Sequence, residues 1–236
     1  MDTLIMLAAA VLPAVLLFLY IWRKDTHPEP FGQMLKALFF GALIAIPVSF
    51  TEEVVQNFLF GPGGEASNLL EFIWDAFFVT AVPEEAFKLL VLWLFLRKNP
   101  YFDEHFDGIV YAVCVGLGFA SVENISYLFS YADDWETVAI SRALLSVPGH
   151  YAFAVLMGYY YSRYRFGGHS ASDIASMFCI PVIAHGIYDS IVFSMQLDSY
   201  IVTFCFIALI VFCVKMHKNA LRKIKEQIAR DEVDPD

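Results

Sequence analysis

The sequence contains only four cysteines, Cys114, Cys179, Cys205 and Cys213, and none of them belongs to a Cys-x-x-Cys pair. All four lie in apolar stretches without polar neighbours, so we interpret them as buried apolar side chains rather than disulfide partners or metal ligands. Basic residues are scarce as well. The one dense basic run, Lys215 to Arg230, directly follows an apolar stretch, so we interpret it as a topology anchor and expect no nucleic-acid binding.

The chain also lacks internal repeats, low-complexity segments and the motifs of several common hydrolases. It contains no Gly-x-Ser-x-Gly and no His-Glu-x-x-His, which argues against a serine-elbow mechanism and a zinc-binding helix of the HExxH type. The paired aspartates of an aspartyl protease are missing too. Any hydrolytic chemistry in this chain must therefore use another set of residues.

Apolar residues are abundant. They make up 58% of the 236 positions, and the mean hydropathy is +0.59, whereas a soluble domain is about half apolar. The composition predicts an all-α protein, a polytopic bundle of transmembrane helices. We expect residues 1–214 to form one transmembrane bundle that carries the catalytic site, and residues 215–236 to form a basic, then acidic, cytosolic tail whose end, Asp231–Asp236, is disordered.

Seven apolar stretches are long enough to cross a membrane, since a spanning helix needs about 20 apolar residues. They are approximately Thr3–Trp22, Phe31–Phe50, Leu69–Leu96, Gly108–Tyr131, Val138–Tyr161, Asp173–Met195 and Tyr200–Val214. The sequence therefore predicts about seven spans.

The distribution of lysine and arginine predicts the orientation of these spans. Basic residues follow the first, third, fifth and seventh stretches, whereas the loops Thr51–Asn68, Ala132–Thr137 and Gln196–Ser199 contain none. Because cytosolic flanks carry the excess of basic residues, we expect the N-terminus outside and the C-terminus in the cytosol. The first stretch has its positive charges after the apolar run, so we interpret it as a retained anchor rather than a signal peptide.

Charged and imidazole side chains occur near the midpoints of the later stretches. A charge at bilayer depth costs several kcal/mol, so such residues normally have partners and a function. At a rise of 1.5 Å per residue, those of four different helices lie at a similar depth, so we expect them to cluster in one polar site. The residues are Glu84, Glu85, Lys88, Glu123, His150, His185 and Asp189.

The spacing within each helix predicts some of the contacts. Glu84 and Lys88 are four residues apart and share a helix face, so we expect them to pair. Glu85 is turned by about 100° from its neighbour, which suits a different partner. His185 and Asp189 are also four residues apart, so the carboxylate can fix the imidazole tautomer.

Other polar and small residues in the spans receive structural interpretations. Gly116 and Gly118 allow close helix approach, and Gly186 removes bulk beside a histidine. We interpret Arg142 as an interfacial residue, or as the partner of an acidic residue in the adjacent loop, Asp133 or Asp134.

Carboxylates and histidines in a partly dry cavity suit amide hydrolysis, in which a glutamate takes a proton from water while imidazoles or a metal stabilise the oxyanion. Glu123, His150 and His185 are acceptable zinc ligands by residue type, and the spacing leaves the mechanism open, with or without a metal. Two other classes of protein stay open as well: a proton- or cation-coupled transporter, and a non-catalytic scaffold in which the polar residues hold helices together.

Four motifs occur in a fixed order along the chain. Glu84-Glu85-Ala86-Phe87-Lys88 fits EExxK, Gly118-Phe119-Ala120-Ser121-Val122-Glu123-Asn124 fits GFAxxEN, an isolated His150 follows, and His185-Gly186-Ile187-Tyr188-Asp189 fits HGxxD. Together with Asp25 to Pro30, this set resembles the PrsW family of bacterial intramembrane proteases, which are distant relatives of the type II CAAX prenyl proteases and of the anterior-pharynx-defective subunit of gamma-secretase.

The resemblance implies a multi-pass protease of the bacterial cytoplasmic membrane. Its expected partner is a single-span anti-sigma factor, which the family cuts in a site-1 type reaction of a stress response. By position in the motifs, the resemblance casts Glu84 as general base, Glu85 as its support and Lys88 as the balancing charge. It implies that Asp189 orients one histidine. The remaining side chains bind the oxyanion or a divalent metal such as zinc: Glu123, His150 and His185.

Overall fold

The computed structural model describes residues 2–233, which form helices joined by short loops, without a strand among them. The α-helices are α1 Asp2–Lys24, α2 Phe31–Leu43, α3 Ala45–Phe60, α4 Leu69–Trp74, α5 Val82–Leu96, α6 His105–Ser130, α7 Trp135–Ser141, α8 Val147–Phe166, α9 Ala171–Ser194 and α10 Ser199–Asp231. A π-helical segment joins α4 to α5, and another joins α7 to α8. The predicted all-α class is confirmed.

Six helical segments of the described chain are long and apolar enough to cross a membrane. They are Thr3–Lys24, Phe31–Phe60, His105–Ser130, Ala132–Phe166, Ala171–Ser194 and Tyr200–Asp231. The third predicted span, residues 69–96, is also helical throughout, but three charged residues at its centre interrupt its apolar character. A polytopic membrane protein is therefore confirmed, while the count of seven spans and the orientation of the termini stay predictions.

Helix α6 lies at the centre of the bundle, where α1, α2 and α8 pack against it. Every residue from Phe106 to Ala120 is buried. Close approach depends on glycine, as expected: a Cβ atom at Gly118 would overlap the carbonyl oxygen of Leu38 in α2. The core of the molecule is thus built around α6, and the C-terminal third of this helix carries Glu123 next to His150 of α8.

Each π-helical segment immediately precedes a proline near the start of the next α-helix. Asp75–Ala81 is followed by Val82-Pro83, and Arg142–Ser146 by Val147-Pro148. Proline lacks an N–H, and its ring clashes with the carbonyl four residues earlier, so a wider turn at this point relieves the crowding. Both segments lie directly before residues of the predicted site, and π-bulges are common at functional sites.

The C-terminal helix is longer than predicted and its end is ordered. The expectation that Asp231 is disordered is wrong, because its carboxylate accepts hydrogen bonds from the backbone N–H groups of His105 (2.8 Å) and Phe106 (2.9 Å). It thereby satisfies unpaired donors at the start of α6. Residues 234–236 lie outside the described residues.

Candidate active site

The structure brings the seven predicted site residues together inside the bundle, on α5, α6, α8 and α9. Six of them are buried, with exposed fractions between 0% and 9%; these are Glu84, Glu85, Lys88, His150, His185 and Asp189. The side chain of Glu123 is 20% exposed. The expected convergence of four helices on one polar cluster is therefore present, although the roles of its members stay predictions.

Lys88 is the centre of the cluster. Its Nζ lies 2.8 Å from Glu84 Oε2, 2.8 Å from Glu85 Oε1 and 3.2 Å from His150 Nδ1. It also lies 4.3 Å from the centre of the Phe119 ring, at cation–π distance. The pairing of Glu84 with Lys88 is as expected from their spacing. Glu85 was expected to have a partner other than Lys88. It contacts His185 of α9, but it also shares Lys88 with Glu84.

His150 has a different partner on each ring nitrogen. Its Nε2 lies 2.7 Å from Glu123 Oε2, and its Nδ1 faces the ammonium of Lys88. A carboxylate can only accept a hydrogen bond from the ring, and an ammonium can only donate one to it, so the two partners together fix the tautomer of the imidazole. The ring therefore carries its proton on Nε2 and presents the lone pair of Nδ1 to the cluster.

His185 lies between two carboxylates. Its Nδ1 is 3.0 Å from Glu85 Oε1, and its Nε2 is 3.0 Å from Asp189 Oδ2, the contact expected from the four-residue spacing. The ring stacks on Phe153 at a centroid distance of 4.7 Å. The imidazole is thus held by its two edges and one face, and it links α9 to α5.

Arg142 is part of the same network, and the prediction that it is interfacial or pairs with a loop aspartate is wrong. Its Nη2 lies 2.8 Å from Glu123 Oε2, and the side chain is 11% exposed. A buried carboxylate attracts the guanidinium more strongly than a solvated one, because the dielectric screening is weaker. The sequence held one signal: Arg142 precedes His150 by eight residues, about two helical turns.

Glu52 is a second residue that the sequence prediction missed. It was expected in the loop Thr51–Asn68, but α3 continues to Phe60 and carries Glu52 toward the cluster. Its partly buried carboxyl group lies within range of electrostatic interaction with Glu84, Lys88 and Glu123. The apolar run ends before this residue, so hydropathy alone gave no reason to continue the helix.

The cluster contains a set of donors that fits a divalent metal. Glu84, Glu85, His150 and His185 each offer a ligand atom, and these four atoms lie within 4.8 Å of one another. Glu85 Oε2 is buried without a hydrogen-bond partner among the described residues, as a ligand atom directed at a cation would be. Mixed carboxylate and imidazole donors suit zinc and other transition metals.

The predicted metal set, Glu123, His150 and His185, differs from this arrangement. Glu123 contacts the Nε2 atom of His150, on the side of the ring that faces away from Lys88, which is where a carboxylate that orients a metal-binding histidine is usually found. The predicted set stays a prediction, and the geometry favours Glu85 with the two histidines.

The net charge of the cluster also favours a cation. Four carboxylates form ion-pair contacts here, whereas two side chains carry a permanent positive charge; the acids are Glu84, Glu85, Glu123 and Asp189, and the cations are Lys88 and Arg142. A bound divalent ion is often the largest charge in such a site and offsets the excess of carboxylates.

Comparison with known proteins agrees with the resemblance found in the motifs. A family model described as PrsW family intramembrane metalloprotease matches residues 29–216. The chain is 35% identical over 223 residues to Protease PrsW of Geobacillus kaustophilus, covering 94% of this chain and 91% of that protein. It is 32% identical over 222 residues to Protease PrsW of Clostridioides difficile, covering 92% and 89%.

A third relative, Protease PrsW of Bacillus subtilis, is 32% identical over 193 residues, which cover 80% of this chain and 84% of that protein. No solved structure matches the chain. The predicted family and the predicted multi-pass bacterial membrane protein are both confirmed.

Proposed function

Because the chain belongs to the PrsW family of intramembrane metalloproteases, we propose that this membrane protease cleaves a single-span anti-sigma factor at the cluster around Lys88. The observation that carries the proposal is the burial of carboxylates and imidazoles from four helices at one point of the bundle. Family membership favours a protease over the transporter and scaffold alternatives.

Glu84 is the general base of the proposed reaction. Among residues 2–233, Glu85 Oε1 contacts both Lys88 and His185, whereas Glu84 Oε2 has a hydrogen bond to Lys88 alone, so Glu84 is the less constrained of the two carboxylates. A carboxylate held in this way can take a proton from water, and a positioned base contributes about 10²–10⁴-fold to a rate. Lys88 balances the charge of both glutamates while the proton moves.

The histidines orient and stabilise the scissile group. His150 presents Nδ1 to the cluster, and Asp189 holds His185 from the side opposite Glu85. A divalent metal held by Glu85, His150 and His185 would act as a Lewis acid and would lower the pKa of a bound water. A positive charge that faces the developing oxyanion, from such a metal or from the ammonium of Lys88, would contribute about 10²–10³-fold to the rate.

The depth of the site supports a membrane-anchored substrate. Glu84 precedes the basic end of α5, at Arg97, by 13 residues, or about 20 Å of a hydrocarbon core about 30 Å thick. A peptide bond that reaches this level belongs to the membrane segment of its protein. With the predicted orientation, the cut falls in the extracytoplasmic half of that segment.

The test is cleavage of a single-span reporter by the purified full-length protein in liposomes. We expect Glu84→Gln and Glu85→Gln each to lower the rate by at least about 100-fold, because each removes an ionised carboxylate from the cluster. Glu53→Gln is the matched control, since Glu53 neighbours Glu52 on α3 but is exposed. Undiminished cleavage by both cluster variants rejects the proposal.

A further inference from the structure

We infer that Arg142 is a positioning residue of the active site: it fixes the carboxylate of Glu123, which in turn holds His150 with its Nδ1 lone pair facing the cluster. The inference rests on the proposed function, because it assigns the control of one histidine in the same site. It adds a residue that lies outside all four sequence motifs.

Arg142 and His150 contact the same oxygen atom of Glu123. Arg142 Nη2 lies 2.8 Å from Glu123 Oε2, and His150 Nε2 lies 2.7 Å from the same oxygen. The guanidinium and the imidazole both approach this one oxygen, and an ion pair shielded from bulk water is weakly screened, so the guanidinium holds the carboxylate in place. An ionised Glu123 can only accept from His150, so the imidazole proton stays on Nε2.

Arg142 is itself held in place by Asn124 and Tyr127. Its Nε donates to Asn124 Oδ1 at 2.5 Å, and its guanidinium lies 3.9 Å from the centre of the Tyr127 ring. Asn124 is itself fixed, because its Nδ2 donates to the carbonyl oxygen of Ala10 in α1 at 3.0 Å. The planar guanidinium is thus immobilised by a hydrogen bond, an ion pair and an aromatic face, a combination that a lysine cannot reproduce.

The backbone around Arg142 is wound more widely than an α-helix. Arg142 is the first residue of the π-helical segment Arg142–Ser146, and the N–H of Val147 bonds to the carbonyl oxygen of Arg142, five residues back. A π turn adds a residue to the helical repeat, so the eight residues from Arg142 to His150 act as about seven, or two full turns. The wide turn therefore places both side chains on one face, toward Glu123.

The expected consequence of losing Arg142 is a loss of tautomer control. Glu123 would keep a single fixed donor, and its carboxylate would become free to rotate away from His150. Without that contact the imidazole can turn so that Nδ1 leaves the ammonium of Lys88, which lies 3.2 Å away in the native arrangement, and away from this donor the ring can carry its proton on Nδ1. In that tautomer Nδ1 can no longer accept a proton or a ligand.

The experiment uses the full-length protein in detergent micelles and liposomes, with Arg142→Gln and Arg142→Lys as variants. The matched control is Arg163→Gln, because Arg163 forms its ion pair with Asp173 at the far end of α8, at 3.3 Å. We expect kcat for a single-span reporter to fall by about 10–100-fold in Arg142→Gln, as for other residues that orient a functional histidine, with KM unchanged. Arg142→Lys should recover part of the loss, and the control should match wild type.

The second readout is independent of cleavage. Nitrogen-15 NMR of histidine-labelled, metal-free protein, with the signal assigned by His150→Gln, should show the Nε2–H tautomer of His150 in wild type and a mixture in Arg142→Gln. A single unchanged tautomer in Arg142→Gln overturns the inference, and so does a rise in KM alone. If the reporter is not cleaved by wild type, the proposed function fails, while the NMR result still decides the role of Arg142.

If Arg142→Gln fails to fold, the double variant Arg142→Gln with Glu123→Gln is used instead, because it removes both charges of the ion pair together. We expect its loss of kcat to equal that of Glu123→Gln alone, since residues that act through one another are not additive. Additive losses overturn the inference.

Discussion

At the scale of single residues, the site depends on the ammonium of Lys88. It is 3% exposed and contacts Glu84, Glu85 and His150 together. Taking an ion out of water costs several kcal/mol even after relaxation. This interior can accommodate two neighbouring glutamates because one cation lies within hydrogen-bond distance of both.

Replacing Lys88 by methionine should therefore destabilise the protein by about 3–5 kcal/mol, the usual cost of removing one partner of a buried ion pair. The measurement is chemical unfolding of the variant in detergent micelles. Lys98→Met is the control, because Lys98 is exposed at the end of α5, and such changes stay within about 0.5 kcal/mol. Combining Lys88→Met with Glu84→Gln and Glu85→Gln should restore most of the loss. A triple variant as unstable as Lys88→Met contradicts this account.

At the scale of helices, the position of the site follows from how closely the helices approach α6. Gly158 of α8 lies against the backbone of Gly108 in α6, where an added Cβ atom would overlap the carbonyl oxygen of Gly108. Helices with small residues at their crossing can pack backbone to backbone. The crossing at Gly158 lies about two turns from His150 along α8, so it sets the height of this histidine relative to Glu123.

Gly158→Ala should destabilise the bundle by about 1–3 kcal/mol, because a methyl group in a filled interface forces the backbones apart. The measurement is again unfolding in detergent. Gly32→Ala provides the matched control, since no atom lies within 4 Å of the position of its Cβ. This change should be neutral or stabilising, as alanine is the better helix former. Equal effects of the two substitutions would show that the crossing does not limit packing.

At the scale of the whole molecule, the basic residues gather at one end of the bundle. The end of α8 meets the start of α9 there through Arg163 and Asp173 at 3.3 Å, and His27, after α1, contacts Glu104, before α6, at 2.8 Å. The loops at the opposite end carry no lysine or arginine. The arrangement predicts that the basic end is cytosolic.

Cysteine labelling in intact cells tests this orientation. In a variant whose four native cysteines are replaced, Glu65→Cys should react with a membrane-impermeant maleimide added outside, because residue 65 is exposed in a loop that is predicted to lie outside. Lys98→Cys, which is exposed at the other end, should react only after the membrane is permeabilised. The reverse pattern would invert the predicted topology and move the expected cut into the cytosolic half of the substrate.

The sequence alone determined the helical, membrane-embedded character of the chain and most of the site. Long apolar runs can only satisfy their backbone in lipid as helices, so the spans follow from composition and length. A charge in such a run needs a partner, so Glu84, Lys88, His150 and His185 had to meet something polar. The convergence of the seven predicted residues follows from this requirement, and one-dimensional spacing was enough to expect it.

Only the tertiary structure decided which side chains complete the site. Arg142 and Glu52 lie near the ends of apolar runs, where a hydropathy pattern predicts that a charged side chain is solvated. Arg142 is instead directed inward by the π turn that it begins, and Glu52 by the continuation of α3 to Phe60. The grouping of Glu85 with the two histidines, with Glu123 beyond one of them, depends on the rotation of each helix about its axis. The rotation of each helix is set by contacts between residues far apart in sequence, such as a glycine packed against the backbone of another helix. No local sequence pattern specifies such contacts.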